Sequence, residues 1–315
     1  MSAVAEQSHT TGTSVLDEVG NNIIHHVSNS SIDHPLVHLP HIFGIDLSVT
    51  KHVLMLWIIA ILVSCAVIIP VRKYMQKKNP VPRGWMNALE SVVKFIRDSI
   101  VQPNFGSKYT ETWTPMILTF FFFILFANGI GLLPIFDIIG IVNRFILDVP
   151  KPPKGAIDHN IINQLLHGGS TVTANFNVTA GLAVITFFAI IIAGSHAHGF
   201  INHWKNLVPH GLAWPVYIIL IPIEIIGMFV KPFALTMRLA ANMTGGHIAI
   251  LAILSFMAIF ADMFHSTATG LSVALFSIPM ATAISGLEII VVMVQAYVFT
   301  LLSAVFIGMA INVHH

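Results

Sequence analysis

Apolar residues run along this chain in long blocks separated by short polar segments, and the block lengths give the first guide to its fold. A helix needs about 20 apolar residues to cross a bilayer. Blocks near that length occur at 52–71, 113–134 and 176–193, and two longer ones follow at 214–260 and 271–313. At about 1.5 Å per residue each of the last two would extend roughly 60 Å or more as helix, against a hydrocarbon core of about 30 Å. They must therefore tilt steeply, kink at places such as Pro232 and Pro279, or break. Between the first two blocks, Trp85, Met86, Leu89, Val92, Val93, Ile96 and Ile100 recur at helical spacing, opposite Asn87, Glu90, Ser91, Lys94, Arg97 and Asp98. That pattern predicts an amphipathic helix over 84–101 lying on the membrane interface. The expected fold is all-α and integral to the membrane, with about five spanning helices and one interfacial helix.

Composition agrees and narrows the class. Hydrophobic residues make up 55% of 315 positions and charged residues 9%, with a mean hydropathy of +0.81, values outside the range of ordinary soluble domains. A net charge of +1 argues neither for nor against nucleic acid, and none is expected as a partner. Cys65 is the only cysteine, which excludes a disulfide framework and a thiolate metal site.

Basic residues set the expected orientation. Arg72, Lys73, Lys77, Lys78 and Arg83 crowd the exit of the first block, whereas the segment before it has Lys51 against Asp33 and Asp46. The positive-inside rule then puts residues 1–50 outside, a long loop at 136–173 outside, and the C-terminus of the membrane domain 51–315 in the cytoplasm. No cleavable signal is expected, because the first 50 residues hold no apolar stretch after a basic start. The tract holding His25, His26, His34, His38 and His41 matches no compact ligand set, and His196, His198, His203 and His210 read as loop histidines near the headgroups. Neither metal nor cofactor is expected.

Arg238 is a costly residue, since it sits inside the block 214–260. A mid-membrane arginine costs about 2.5 to 3.5 kcal/mol on insertion scales and cannot shed its proton, so it usually marks an ion or substrate path. Steps of seven link it to Lys231 and Glu224 on one side and Gly245 on the other, with a drift of only about 20° per step. One helix face carries all four.

The segment from Ile221 reads IPIEIIGMFVKPFALTMRLAANMTGGHIAI, and it resembles subunit a of F-type ATP synthases, most of all through Lys231-Pro232, the run Met237 to Met243 and Gly245-Gly246-His247. Leu287-Glu288-Ile289 and Gln295 to Phe299 resemble that family's C-terminal block. Asn175 to Asn177, and Asn128 through Leu132-Leu133-Pro134, resemble the ends of two earlier spans. The resemblance covers roughly 50–313. It implies a non-catalytic, proton-translocating stator in a bacterial inner membrane, offering two offset half-channels and an essential arginine, Arg238, to a rotor ring of c subunits. Peripheral-stalk b subunits and membrane lipid would be its other partners.

By the same resemblance, Asn242 positions the arginine, His247 and Glu288 pass protons as a couple, Gln295 faces the arginine, and Glu224 belongs to the cytoplasmic half of the path. Some relatives carry the acid and the histidine in exchanged positions, which supports contact between them. Lys231, Asn175 and Asn177 are candidates for lining. The bland readings stay open: an ion-pair ladder for Glu224 with Lys231, an interhelical hydrogen bond for Asn242, and packing for Gly245 and Gly246. The chain departs from some bacterial relatives at Gly131, where they have an acidic residue, and at Gly227, Val230 and Ala234, where they have serines. A secondary cation/proton antiporter is the alternative, although no internal repeat joins 50–190 to 210–313.

Overall fold

The computed structural model describes residues 15–27, 48–76, 82–132, 171–205 and 214–312. These form α1 (Val15–Val27), α2 (Lys51–Met75), α3 (Trp85–Ile96), a π turn (Arg97–Val101), α4 (Gln102–Leu132), a 3-10 turn (Val172–Ala174), α5 (Phe176–His198), α6 (Phe200–Lys205), α7 (Trp214–Met263) and α8 (Thr267–Ile311). Five helical stretches are long and apolar enough to cross a membrane, with α3 and α4 counted as one, and the protein is a multi-pass membrane protein. The helices α7 and α8 run 50 and 45 residues and form a long hairpin. Most of the histidine-rich N-terminal tract, nearly all of the loop 136–173, and His210 lie outside the described residues.

The amphipathic stretch differs from its expectation in how it ends. The helix α3 continues through the π turn into α4, and the break falls at Gly106, whose φ of 66° suits glycine. Its apolar face is packed rather than bare: Leu89, Ile96, Ile100 and Val101 are buried in the main core with Phe105, Phe120 and Phe299. On its outer side Trp85 is exposed and donates its indole N–H to the Ala66 carbonyl at 3.1 Å. Pro70, four residues on from Ala66, has no N–H to offer that carbonyl, so the tryptophan supplies the missing donor and ties α3 to α2.

Beside these large apolar contacts, small and polar residues bring helices close together, as expected when lipid tails are as apolar as leucine and burial alone favours no association. Gly308 of α8 is so close to Asn104 that a Cβ there would meet the Asn104 carbonyl oxygen at 2.6 Å. Asn312 donates to that same carbonyl at 2.7 Å, and Thr186 lies 3.4 Å from Ser303 between α5 and α8. By contrast, α7 buries only one side, with Ile218, Ile225, Phe229 and Phe233 among its exposed residues.

Candidate functional site

The sequence puts Glu224, Lys231 and Arg238 on one face of α7, and the structure leaves that face open. Arg238 is exposed in the isolated chain, and no ion pair among the described residues includes it. Glu224 and Lys231 are half-buried and 3.9 Å apart, a loose pair, and the Lys231 ammonium also lies 5.8 Å from the Phe306 ring centroid. Arg238 is therefore not neutralised by Glu224.

One turn on, Asn242 donates from Nδ2 to Gln295 Oε1 at 2.9 Å, joining α7 to α8 beside the arginine. Gln295 is buried with its own Nε2 unpartnered. Asn242 thus makes an interhelical hydrogen bond, one turn from Arg238 in sequence.

Nine residues past the arginine, on the far side of α7, His247 turns into the bundle. Its Nδ1 lies 3.9 Å from Glu288 Oε1. That is too long for a hydrogen bond and short enough for one small side-chain movement to close it. Glu288 is 4% exposed and its Oε1 has no hydrogen-bond partner. Gly246 explains how a carboxyl fits there: a Cβ at that position would collide with the Glu288 carboxylate. At Gly245 the same addition meets open space. The two glycines of the motif therefore do different things, and only the second admits the acid.

The other ring nitrogen, Nε2, lies 2.7 Å from Thr171 Oγ1. Thr171 opens the turn before α5, and Thr173, two residues on, donates to Asn128 Oδ1 near the end of α4. All three residues are buried, and Asn128 Nδ2 is unpartnered. Sequence reasoning did not single out Thr171 or Thr173. The available signal was Gly131, because the absent side chain at 131 leaves the space that Thr171 fills. Asn175 is buried and caps α5, accepting from the Asn177 N–H at 2.9 Å, while Asn177 is exposed.

A second histidine group gathers where α5, α6 and α8 end. His203 is buried with its ring over Gly194 and its Nε2 unpartnered, and His198 Nε2 lies 2.8 Å from the Ile311 carbonyl. Burial, and then the nearby His198, push the His203 imidazole below its ordinary range. No cluster of three metal-ligating side chains occurs among the described residues.

The family model described as ATP synthase A chain matches residues 53–308. The chain is 39% identical to ATP synthase subunit a 2 of Chlorobaculum tepidum, over 93% of this chain and 74% of that protein. It is 38% identical to ATP synthase subunit a 2 of Prosthecochloris aestuarii, over 93% and 80%. With ATP synthase subunit a of Anaeromyxobacter dehalogenans the identity is 37%, over 95% and 72%.

Proposed function

The chain belongs to the ATP synthase A chain family, within the proton-translocating membrane sector of that complex, and from this premise we propose that it is the non-catalytic stator against which a ring of c subunits turns. The observation that carries the reading is Arg238, a cation on an exposed helix face with no ion-pair partner among the described residues. A ring subunit bearing one membrane carboxyl would supply the anion. At an effective dielectric of about 20 and a separation of about 4 Å the attraction is about 4 kcal/mol, enough to favour the ionised carboxylate by roughly three decades. Arginine itself carries no proton onward, because its guanidinium stays charged, so it separates the two access paths while discharging the ring.

The polar groups fall into two sets that suit those paths. His247 lies on one side of the arginine along α7 and, with Glu288, Thr171, Thr173 and Asn128 gathered near it and Gln295 held by Asn242, supplies the outer half-channel. Glu224 and Lys231 lie on the other and supply the inner one. Asn175 and Asn177 stand beside the outer set, at the start of α5. The basic end of α2, with Arg72 and Lys73, favours a cytoplasmic exit for that helix and an outside N-terminus in a bacterial inner membrane. Peripheral-stalk b subunits and lipid would cover the remaining apolar faces. An antiporter would place its site at interrupted helices, and α7 and α8 run unbroken through theirs.

Cross-linking tests the apposition. In a Cys65→Ala background, cysteines replacing Ala234 or Ala241, both exposed beside Arg238, should form disulfides with a cysteine placed next to the ring carboxyl. A cysteine replacing exposed Ile61 on α2 should not. Equal cross-linking from 61 and 241, or none from 234 and 241 in an assembled complex, would remove the stator reading.

A further inference from the structure

We propose that Thr171 is a positioning residue for His247, its hydroxyl holding the imidazole so that Nδ1 stays turned toward Glu288, and that the glycine at 131 makes room for it. The proposal rests on the reading of His247 and Glu288 as proton carriers in the outer half-channel. A histidine that passes a proton needs its two nitrogens in defined directions, and the partner of one nitrogen sets the state of the other. Here Nε2 meets Thr171 Oγ1 at 2.7 Å and Nδ1 faces Glu288 Oε1 at 3.9 Å. Among the described residues Glu288 is the one charged partner recorded for His247, and Arg238 lies on the opposite side of α7.

The hydroxyl is fixed from three directions. Thr171 is 2% exposed. Its carbonyl accepts from the Ala174 N–H at 3.2 Å, closing the turn, and Thr173 anchors the same turn to Asn128 of α4. From the third side α4 approaches so closely that a Cβ on Gly131 would strike both the hydroxyl and the methyl of Thr171. Any side chain at 131 would displace the threonine and, with it, the partner of His247.

A hydroxyl suits this place better than a carboxylate would. It has one proton to donate and lone pairs to accept, so it follows the ring through every protonation state, whereas an ionised carboxylate only accepts and favours the charged ring. In the imidazolium both nitrogens carry protons and Nε2–H donates to Thr171. When the Nδ1–H bond breaks and an O–H bond forms at Glu288 Oε1, the charges on the ring and the carboxylate disappear together, and the Nε2–H bond to Thr171 persists. If the neutral ring instead carries its proton on Nδ1, Thr171 rotates and donates to Nε2.

Inverted membrane vesicles carrying the assembled complex test this through the initial rate of ATP-driven acidification. Thr171→Val keeps the methyl and the volume but loses the hydroxyl, and should lower the rate about five- to tenfold, the factor one lost hydrogen bond supports. Thr171→Ser keeps the hydroxyl and should retain more than half the rate. Gly131→Ala, made in case the valine variant does not assemble, should lower the rate to a similar degree by pushing the hydroxyl off the ring. A wild-type rate in assembled Thr171→Val, or a serine variant as slow as the valine one, would overturn the proposal. His247→Ala in the same vesicles separates the two levels. Loss of pumping there, with Thr171→Val unaffected, sinks only the threonine's role. Wild-type pumping by His247→Ala sinks the underlying path reading and the proposal with it.

Discussion

Gly246 and Gly245 are neighbours with opposite surroundings, and the difference shows how a single hydrogen in place of a methyl can decide a site. The Glu288 carboxyl occupies the space that a Cβ on Gly246 would fill. Overpacking of this kind costs about 1 to 3 kcal/mol, and here the flexible carboxyl would yield first and leave its place beside His247. Gly246→Ala should therefore cut ATP-driven pumping about tenfold or more with assembly retained. Gly181→Ala, on the open side of α5 where a Cβ meets nothing within 4 Å, should leave it unchanged. Equal pumping by the two variants would contradict the assignment. The sequence made Arg238 conspicuous because its cost in lipid is a property of the residue alone. It also made His247 and Glu288 a pair, through the resemblance. Thr171 and Thr173 gave no such signal, since small uncharged polar residues are ordinary at helix ends and only tertiary contact brings them to the histidine and to Asn128.

Helices α5 and α6 meet at Gly199, whose φ of 86° reverses the chain so that His203 folds back over Gly194. Together with His198 on the Ile311 carbonyl, this ties α5 to the last turn of α8. Because burial holds His203 below its ordinary value of 6.5, the unfolded chain takes up the proton first as pH falls. The contribution of His203 to stability is thus complete above that value and is lost as pH drops from it toward the folded pKa. The apparent melting temperature of the purified complex should fall between pH 7.5 and 5.5, and His203→Phe, which cannot charge, should flatten that fall by a few degrees. An unchanged pH dependence in the variant would show that His203 does not govern it. Among the elements, four of the five apolar blocks coincide with helices to within about five residues, because backbone in lipid must satisfy its own hydrogen bonds, whereas the second block starts at 113 and its helix at Gln102. The packing of α3 was not legible in the sequence, since an amphipathic face reads the same whether it meets lipid or Phe299, and neither was the break at Gly106. The short helix α1 also escaped notice, and it lies against α7.

Across the whole molecule, polar groups from α4, the turn at 172–174, α7 and α8 converge on one side of the long hairpin, while the arginine stands on its open face. A protein that merely crossed the membrane would gain nothing from an exposed guanidinium on one side of α7 and a buried carboxyl with an unpartnered oxygen on the other. A stator requires both, one to meet the ring and one to feed it. The most direct test replaces Arg238 and follows ATP-driven acidification of inverted vesicles, with this chain and its ring partner both checked by blotting. Arg238→Ala should abolish pumping in a complex that still assembles. Arg238→Lys should lose most of it, because a desolvated lysine can give up its proton and an arginine cannot. Wild-type acidification by assembled Arg238→Ala would contradict the account at its centre.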